Sequence, residues 1–188
     1  PAEGYTLDYF TLDGARINGD TFIMPARNVE VSAVFTANAY SITVVQPTGG
    51  TVSASATSAT AGTTIELTAN PAEGYTLDYF TLDGARINGN TFIMPARNVD
   101  VSAVFTANAY GITVVQPAGG TVSASATSAT AGTTVKLTAT PAEGYTLDYF
   151  TLDGARINGD TFIMPARNVE VSAVFTANAY SITVVQPT

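Results

Sequence analysis

The chain repeats itself every 70 residues. Pro1-Ala2-Glu3-Gly4-Tyr5 returns as Pro71-Ala72-Glu73-Gly74-Tyr75 and again as Pro141-Ala142-Glu143-Gly144-Tyr145. A fixed period of this length restricts the chain to a tandem array, in which each copy is one folding unit stacked on its neighbours. The copies differ at few positions: Asp20/Asn90/Asp160, Glu30/Asp100/Glu170, Ser41/Gly111/Ser181, Thr48/Ala118/Thr188, Ile65/Val135, Glu66/Lys136 and Asn70/Thr140. Most of these preserve volume or polarity. The Glu66/Lys136 reversal marks a side chain that points to solvent.

Periodicity alone does not say where a unit begins. Residues 29–45, with copies at 99–115 and 169–185, contain neither Gly nor Pro and are rich in β-branched and aromatic side chains, so they read as extended chain. The stretch divides into a closing strand (29–35), a boundary of small and polar residues (36–39) and an opening strand (40–45). On that parsing 40–105 and 110–175 are complete modules. Residues 1–35 form the back part of a module, and 180–188 the first strand of a further one, unless the chain is a window on a longer array.

Within 40–105 the apolar residues alternate. Ile42 and Val44 share a face, then Val52, Ala54 and Ala56, then Ile65, Leu67 and Ala69, each with hydroxyl or charged residues between. Pro47-Thr48-Gly49-Gly50 and Asn70-Pro71-Ala72-Glu73-Gly74 are turns, and 59–62 reads as a loop or a single helical turn. Residues 75–82 keep Tyr75 and Leu77 on one face and Phe80 and Leu82 on one face, but the phase slips between the pairs. A bulge near Asp78-Tyr79 restores the register. Asp83-Gly84 and Asn88-Gly89 are hairpin-turn dipeptides. Thr91-Phe92-Ile93-Met94 is a brief strand ended by Pro95, and Val99, Val101, Ala103 and Phe105 face inward on the last one. No sustained helical apolar pattern occurs. Short strands with turns between them predict an all-β fold: a tandem array of small β-sandwich-like or β-roll modules of about 70 residues, forming an elongated rod.

Composition excludes several functions. Net charge is −8, with Lys136 the single lysine, so no basic face exists for nucleic acid or for an anionic membrane surface. No apolar run approaches a membrane span. The absence of Cys removes disulfides and thiolate metal sites, and the absence of His removes the commonest general base.

Gly74-Tyr75, Phe80-Thr81-Leu82-Asp83-Gly84, Thr91-Phe92-Ile93-Met94-Pro95-Ala96 and Val99-Asp100-Val101-Ser102-Ala103-Val104-Phe105, preceded by Gly49-Gly50-Thr51-Val52-Ser53 and Ala61-Gly62-Thr63-Thr64-Ile65-Glu66-Leu67, form a familiar pattern. It resembles the divergent internalin-type B-repeat, also called the Listeria–Bacteroides repeat, over essentially the whole chain. The resemblance implies small β-rich modules in tandem on an extracellular bacterial protein, cell-surface or secreted, serving as stalks or spacers and sometimes as adhesive surfaces. The family commonly has Trp where this chain has Phe10, Phe80 and Phe150. It brings no catalytic motif.

Three groups of residues are candidate sites. Asp13, Asn18 and Asp20, with Asp83, Asn88 and Asn90 and with Asp153, Asn158 and Asp160, gather oxygen-bearing side chains of the kind calcium takes, but their spacing matches neither an EF-hand nor a nonapeptide calcium repeat, and paired β-turns are the favoured reading. Carboxylate pairs such as Asp8/Asp13 carry no acid–base signature, so the chain is not expected to be an enzyme, and no cofactor is expected. Tyr9, Tyr79 and Tyr149 sit at the bulge and form a ladder that could face a glycan or protein. Tyr180, Ile182 and Val184 belong to an opening strand with no module left to open. Either the chain is a window on a longer array, the favoured reading, and they open its next module, or they pair with another copy by head-to-tail strand donation. The expected function is structural, an extended stalk or filament segment. The alternative is an adhesin whose repeated faces bind a host glycan or protein. Expected partners are the neighbouring repeats, further copies and, on the adhesin reading, a host surface ligand.

Overall fold

A computed structural model of the chain describes residues 1–186; Pro187 and Thr188, the last residues of the expected segment 180–188, lie outside the described residues. Every regular element among them is a β-strand. The first copy supplies β1 (Tyr5–Leu12), β2 (Ala15–Arg16) and β3 (Val31–Ala37). The second supplies β4 (Ala39–Val44), β5 (Gly50–Ala54), β6 (Ser58–Thr60), β7 (Thr64–Pro71), β8 (Tyr75–Leu82), β9 (Ala85–Arg86), β10 (Thr91–Ile93) and β11 (Val99–Ala107). The third repeats them as β12 (Ala109–Val114), β13 (Gly120–Ala124), β14 (Ser128–Thr130), β15 (Thr134–Pro141), β16 (Tyr145–Leu152), β17 (Ala155–Ile157), β18 (Thr161–Ile163) and β19 (Val169–Ala177). The described residues form two compact units: 1–72 with 77–106, and 73–76 with 107–186.

In the first unit a five-stranded sheet, ordered β6-β4-β11-β8-β9, faces a three-stranded sheet, ordered β10-β7-β5. Their facing sides make one core. Ile42, Phe80, Val99, Val101 and Ala103 come from the larger sheet and Val52, Ile65, Leu67 and Phe92 from the smaller, with Met94 closing the end. The module is therefore a small sandwich. The second unit holds the same sandwich, with sheets β14-β12-β19-β16-β17 and β13-β15-β18 around Ile112, Val135, Leu137, Phe150, Met164 and Val171.

Two local features bear out the sequence reading, and a third, at Gly50, is new. Leu82 and Ala85 pair across Asp83-Gly84, and both turn residues have positive φ, 49° and 78°, the geometry that Asp-Gly favours in two-residue hairpins. The register of the long hairpin slips at Asp8 and Asp148, between Leu7 and Tyr9 and between Leu147 and Tyr149, so a bulge sits where the phase changed. Phe105 lies over Gly50, where a β-carbon would come within 2.6 Å of its ring and 2.8 Å of the Asn70 carbonyl oxygen, so that position takes no side chain.

Two features differ from the expectation. Of residues 59–62, read as loop or helical turn, Ala59 and Thr60 belong to β6, because Ala59 lies opposite Tyr40 and the edge of β4 is completed there. The opening strand pairs parallel with the closing strand of its own module, a direction on which the sequence was silent: Ile42 with Val99, Thr43 with Asp100 and Val44 with Val101. Alternation within a strand carries no information about this direction. The boundary also narrows, since β3 runs to Ala37 and β4 starts at Ala39, leaving Asn38 alone outside the strands.

The first copy has β1–β3 without the facing sheet, and identical sequence behaves differently there. Met24 is 62 % exposed while Met94 is 1 %, and Val31 is 52 % exposed while Val101 is 0 %. Residues 180–185 form no strand, and Ile182 is 92 % exposed.

Candidate interaction site

The bulge and the turn after β2 frame a cleft, and the same cleft occurs in all three copies. Tyr9 projects from the bulge, where the slipped register turns it off the core face. Arg16, on the short partner strand β2, lays its guanidinium over the Tyr9 ring at 4.5 Å from the centroid. Arg86 covers Tyr79 at 4.8 Å and Arg156 covers Tyr149 at 4.7 Å. Asp8, Asn18 and Asp20 complete the first cleft, of about 410 Å³. Its copies measure about 400 Å³ at Tyr79 and about 410 Å³ at Tyr149. The tyrosines are half-buried, so each presents a ring edge and a stacked cation, not a free aromatic face. The pairing arginine was not singled out from sequence. Its signal is two-residue β2, which pairs Arg16 with Thr11 two residues beyond the tyrosine.

The residues considered for calcium separate into two places. Asp83 does not enter the tyrosine cleft; it lines another with Val45, Asp100 and Ser102, while Asn88 and Asn90 stay with Tyr79. Its carboxylate is already engaged. Oδ1 accepts the Asp100 N–H at 2.9 Å and Oδ2 takes the Arg97 guanidinium at 2.5 Å. Asp13 does the same with Glu30 and Arg27, and Asp153 with Glu170 and Arg167. The backbone N–H first, and the arginine second, hold all three carboxyls below the usual carboxylate range. Among the described residues no three acidic, His or Cys side chains converge on one point. Asp8 accepts the Thr36 hydroxyl, which ties the bulge to the closing strand.

Asn90 and Asp160 explain the charge reversal between copies. The Asn90 amide donates to the Glu66 carboxylate at 3.2 Å, and Asp160 lies 3.7 Å from the Lys136 ammonium. The two positions change together, so each copy avoids facing carboxylates.

The sequence marks 36–39 as a boundary but not the contacts that build it. The Asn38 N–H donates to the Gly4 carbonyl at 2.7 Å, and its side-chain oxygen accepts the Thr6 hydroxyl at 2.7 Å. Gly4, at φ +81°, leaves 3.2 Å between a hypothetical β-carbon and Ala61 and 3.6 Å to Ala96. In the second unit Asn108, Gly74 and Thr76 repeat the clamp, and Gly74 seats against Ala131 and Ala166. On the far side, the Ser41 N–H donates to Asn98 Oδ1 at 2.9 Å and Ser102 Oγ donates to the Val45 carbonyl at 2.7 Å, fixing the opening strand to the closing one. Gln46 then clips the next turn by bonding both the Val52 N–H and its carbonyl.

Sandwich modules recurring at a fixed period, each opened by the strand that follows the previous closing strand, define a tandem β-repeat protein. The family model of the divergent InlB B-repeat domain matches three times, at residues 1–39, 40–109 and 110–179, and the chain belongs to that family. Such repeats are typical of surface and secreted bacterial proteins. Neither the curated proteins nor the solved structures gave a match.

Proposed function

We propose that the chain is a length of extracellular spacer, holding what it carries at a distance from its point of attachment. The observation behind this reading is the junction. A single non-strand residue, Asn38, joins closing to opening strand, its backbone is bonded to the turn at Gly4 and its side chain to Thr6 at the start of β1, and that turn seats Gly4 on Ala61 and Ala96. A joint with neither Gly nor slack restricts bending. Small-angle scattering of chains with increasing numbers of copies should give a maximum dimension that rises in proportion to copy number. A dimension that stays near that of one compact particle would overturn the proposal.

Head-to-tail assembly is the finer form of the same reading. Residues 180–185 repeat 40–45, so against residues 29–31 of a second copy, which lead into β3, they would take the intramodular register: Ile182 opposite Val29, Thr183 opposite Glu30 and Val184 opposite Val31. The chain lacking 180–188 should then lose self-association. Unchanged association would dispose of strand donation.

The recurrence of the tyrosine–arginine cleft favours a second reading, an adhesin that gains avidity from weak copies. Loss of binding to glycan- or protein-coated surfaces in Y9A/Y79A/Y149A, at an unchanged melting temperature, would support it.

A further inference from the structure

The cleft carries a chemical feature that is independent of either functional reading. Each copy places an Asn-Gly pair on its rim: Asn18-Gly19, Asn88-Gly89 and Asn158-Gly159. All six residues are exposed. The three glycines have φ between +81° and +86°, and nothing lies within 4 Å of where a β-carbon would be. Among the described residues, neither the asparagine amides nor the glycine N–H groups have a hydrogen-bond partner.

We infer that these three asparagines are sites of spontaneous modification, converting to aspartate and isoaspartate through a cyclic imide. The glycine nitrogen, after losing its proton to solvent base, attacks the Asn Cγ. The Cγ–Nδ2 bond breaks and ammonia leaves. Water then opens either carbonyl of the ring, giving aspartate or, with the main chain rerouted through Cγ, isoaspartate. The overall change is amide plus water to carboxylate plus ammonium, with no redox partner.

The step needs an unblocked nucleophile, an unheld amide and a main chain free to bring them together. Glycine has no side chain to obstruct the approach, and an unpaired N–H has no bond to give up. The remaining asparagines fail on one count or another. Asn98 and Asn168 use Oδ1 to accept a backbone N–H and precede Val. Asn38, Asn108 and Asn178 are held by a threonine hydroxyl and precede Ala. Asn70 precedes Pro, which has no N–H. Asn90 is bonded to Glu66 and precedes Thr, and Asn28 precedes Val.

The three sites also differ among themselves. After Asn88-Gly89 the chain is pinned at once, because the Asn90 carbonyl accepts the Leu67 N–H at 2.7 Å; the Asp160 carbonyl does the same for Leu137. In the first copy no strand among the described residues lies against the Asp20 carbonyl, so Asn18 has the freest turn and converts first. Full conversion moves the net charge from −8 three units further negative. Each new carboxylate joins Asp8 or its counterpart on the cleft wall.

The test is to hold the whole chain in mildly alkaline buffer and map the loss of amide by peptide mass spectrometry. Residues 17–27 and 157–167 are identical, so Thr21→Ser is introduced as a mass tag for the first copy. The expected result is loss at Asn18, Asn88 and Asn158, faster at higher pH, with Asn18 ahead and the other asparagines intact. Isoaspartate is confirmed by enzymatic methyl transfer. Loss at these positions no faster than at Asn98 or Asn108 would overturn the inference. Asn88 or Asn158 leading Asn18 would overturn the ordering argument.

Discussion

Asp83 and its copies hold the hairpin to the closing strand through one carboxylate, and that bond depends on pH. A carboxyl whose folded pKa lies below its unfolded value adds stability that is complete above the ordinary carboxylate value, about 4. That stability is lost as pH falls through the lower folded value. The melting temperature should therefore be flat from neutral pH down to the carboxylate range and fall below it. In D83N/D153N the acid slope should be shallower; an unchanged slope would remove these groups from the account. The coupled pair is also testable at this scale. Asn90→Asp sets a second carboxylate beside Glu66 and should cost about 0.5 kcal/mol, a typical figure for exposed like charges. Adding Glu66→Lys should restore the loss, as a double-mutant cycle read by urea denaturation would report.

Elements divide into those that sequence announces and those it does not. Ile65, Leu67, Val99 and Val101 were legible as inward positions, because strand alternation is a local rule. The bulge was legible because the phase of Tyr75-Leu77 and Phe80-Leu82 broke. The parallel pairing of β4 with β11 was not, since it joins residues 57 positions apart, as Ser41 and Asn98 illustrate, and no local pattern encodes strand direction. The cleft was half legible: the tyrosines stood out by position, whereas the covering arginines depend on the cross-strand register. Gly120 tests the element scale. A β-carbon there would come within 2.6 Å of the Phe175 ring and 2.7 Å of the Thr140 carbonyl oxygen. Gly120→Ala should destabilise the second unit by about 1–3 kcal/mol, the usual cost of overpacking. Calorimetry resolving no loss would mean the backbone relaxes freely.

At the scale of the whole molecule, identical residues report on their surroundings. Met24 and Met94, or Val31 and Val101, share sequence and differ in burial, so differences between the copies arise from what surrounds them: the first copy has neither the facing sheet nor the counterparts of β4 and β6 beside its closing strand. Hydrogen exchange should protect the amides of β11 and β19 well beyond those of β3. Equal protection in all three would indicate that the first copy acquires cover from another molecule. Ile65→Ala should cost the first unit about 2–5 kcal/mol, lowering its own melting transition more than that of the second unit.

The one-residue joint has a consequence for how such genes change. Because each closing strand runs directly into the next opening strand, losing or duplicating any 70 consecutive residues leaves every interior strand with its mate, wherever the breakpoints fall. Copy number can drift by recombination without a folding penalty. The exception is an exchange between unlike copies whose breakpoint falls after position 66 and before position 90. That recombinant would set Glu66 against the aspartate of another copy, at the same cost of about 0.5 kcal/mol as Asn90→Asp.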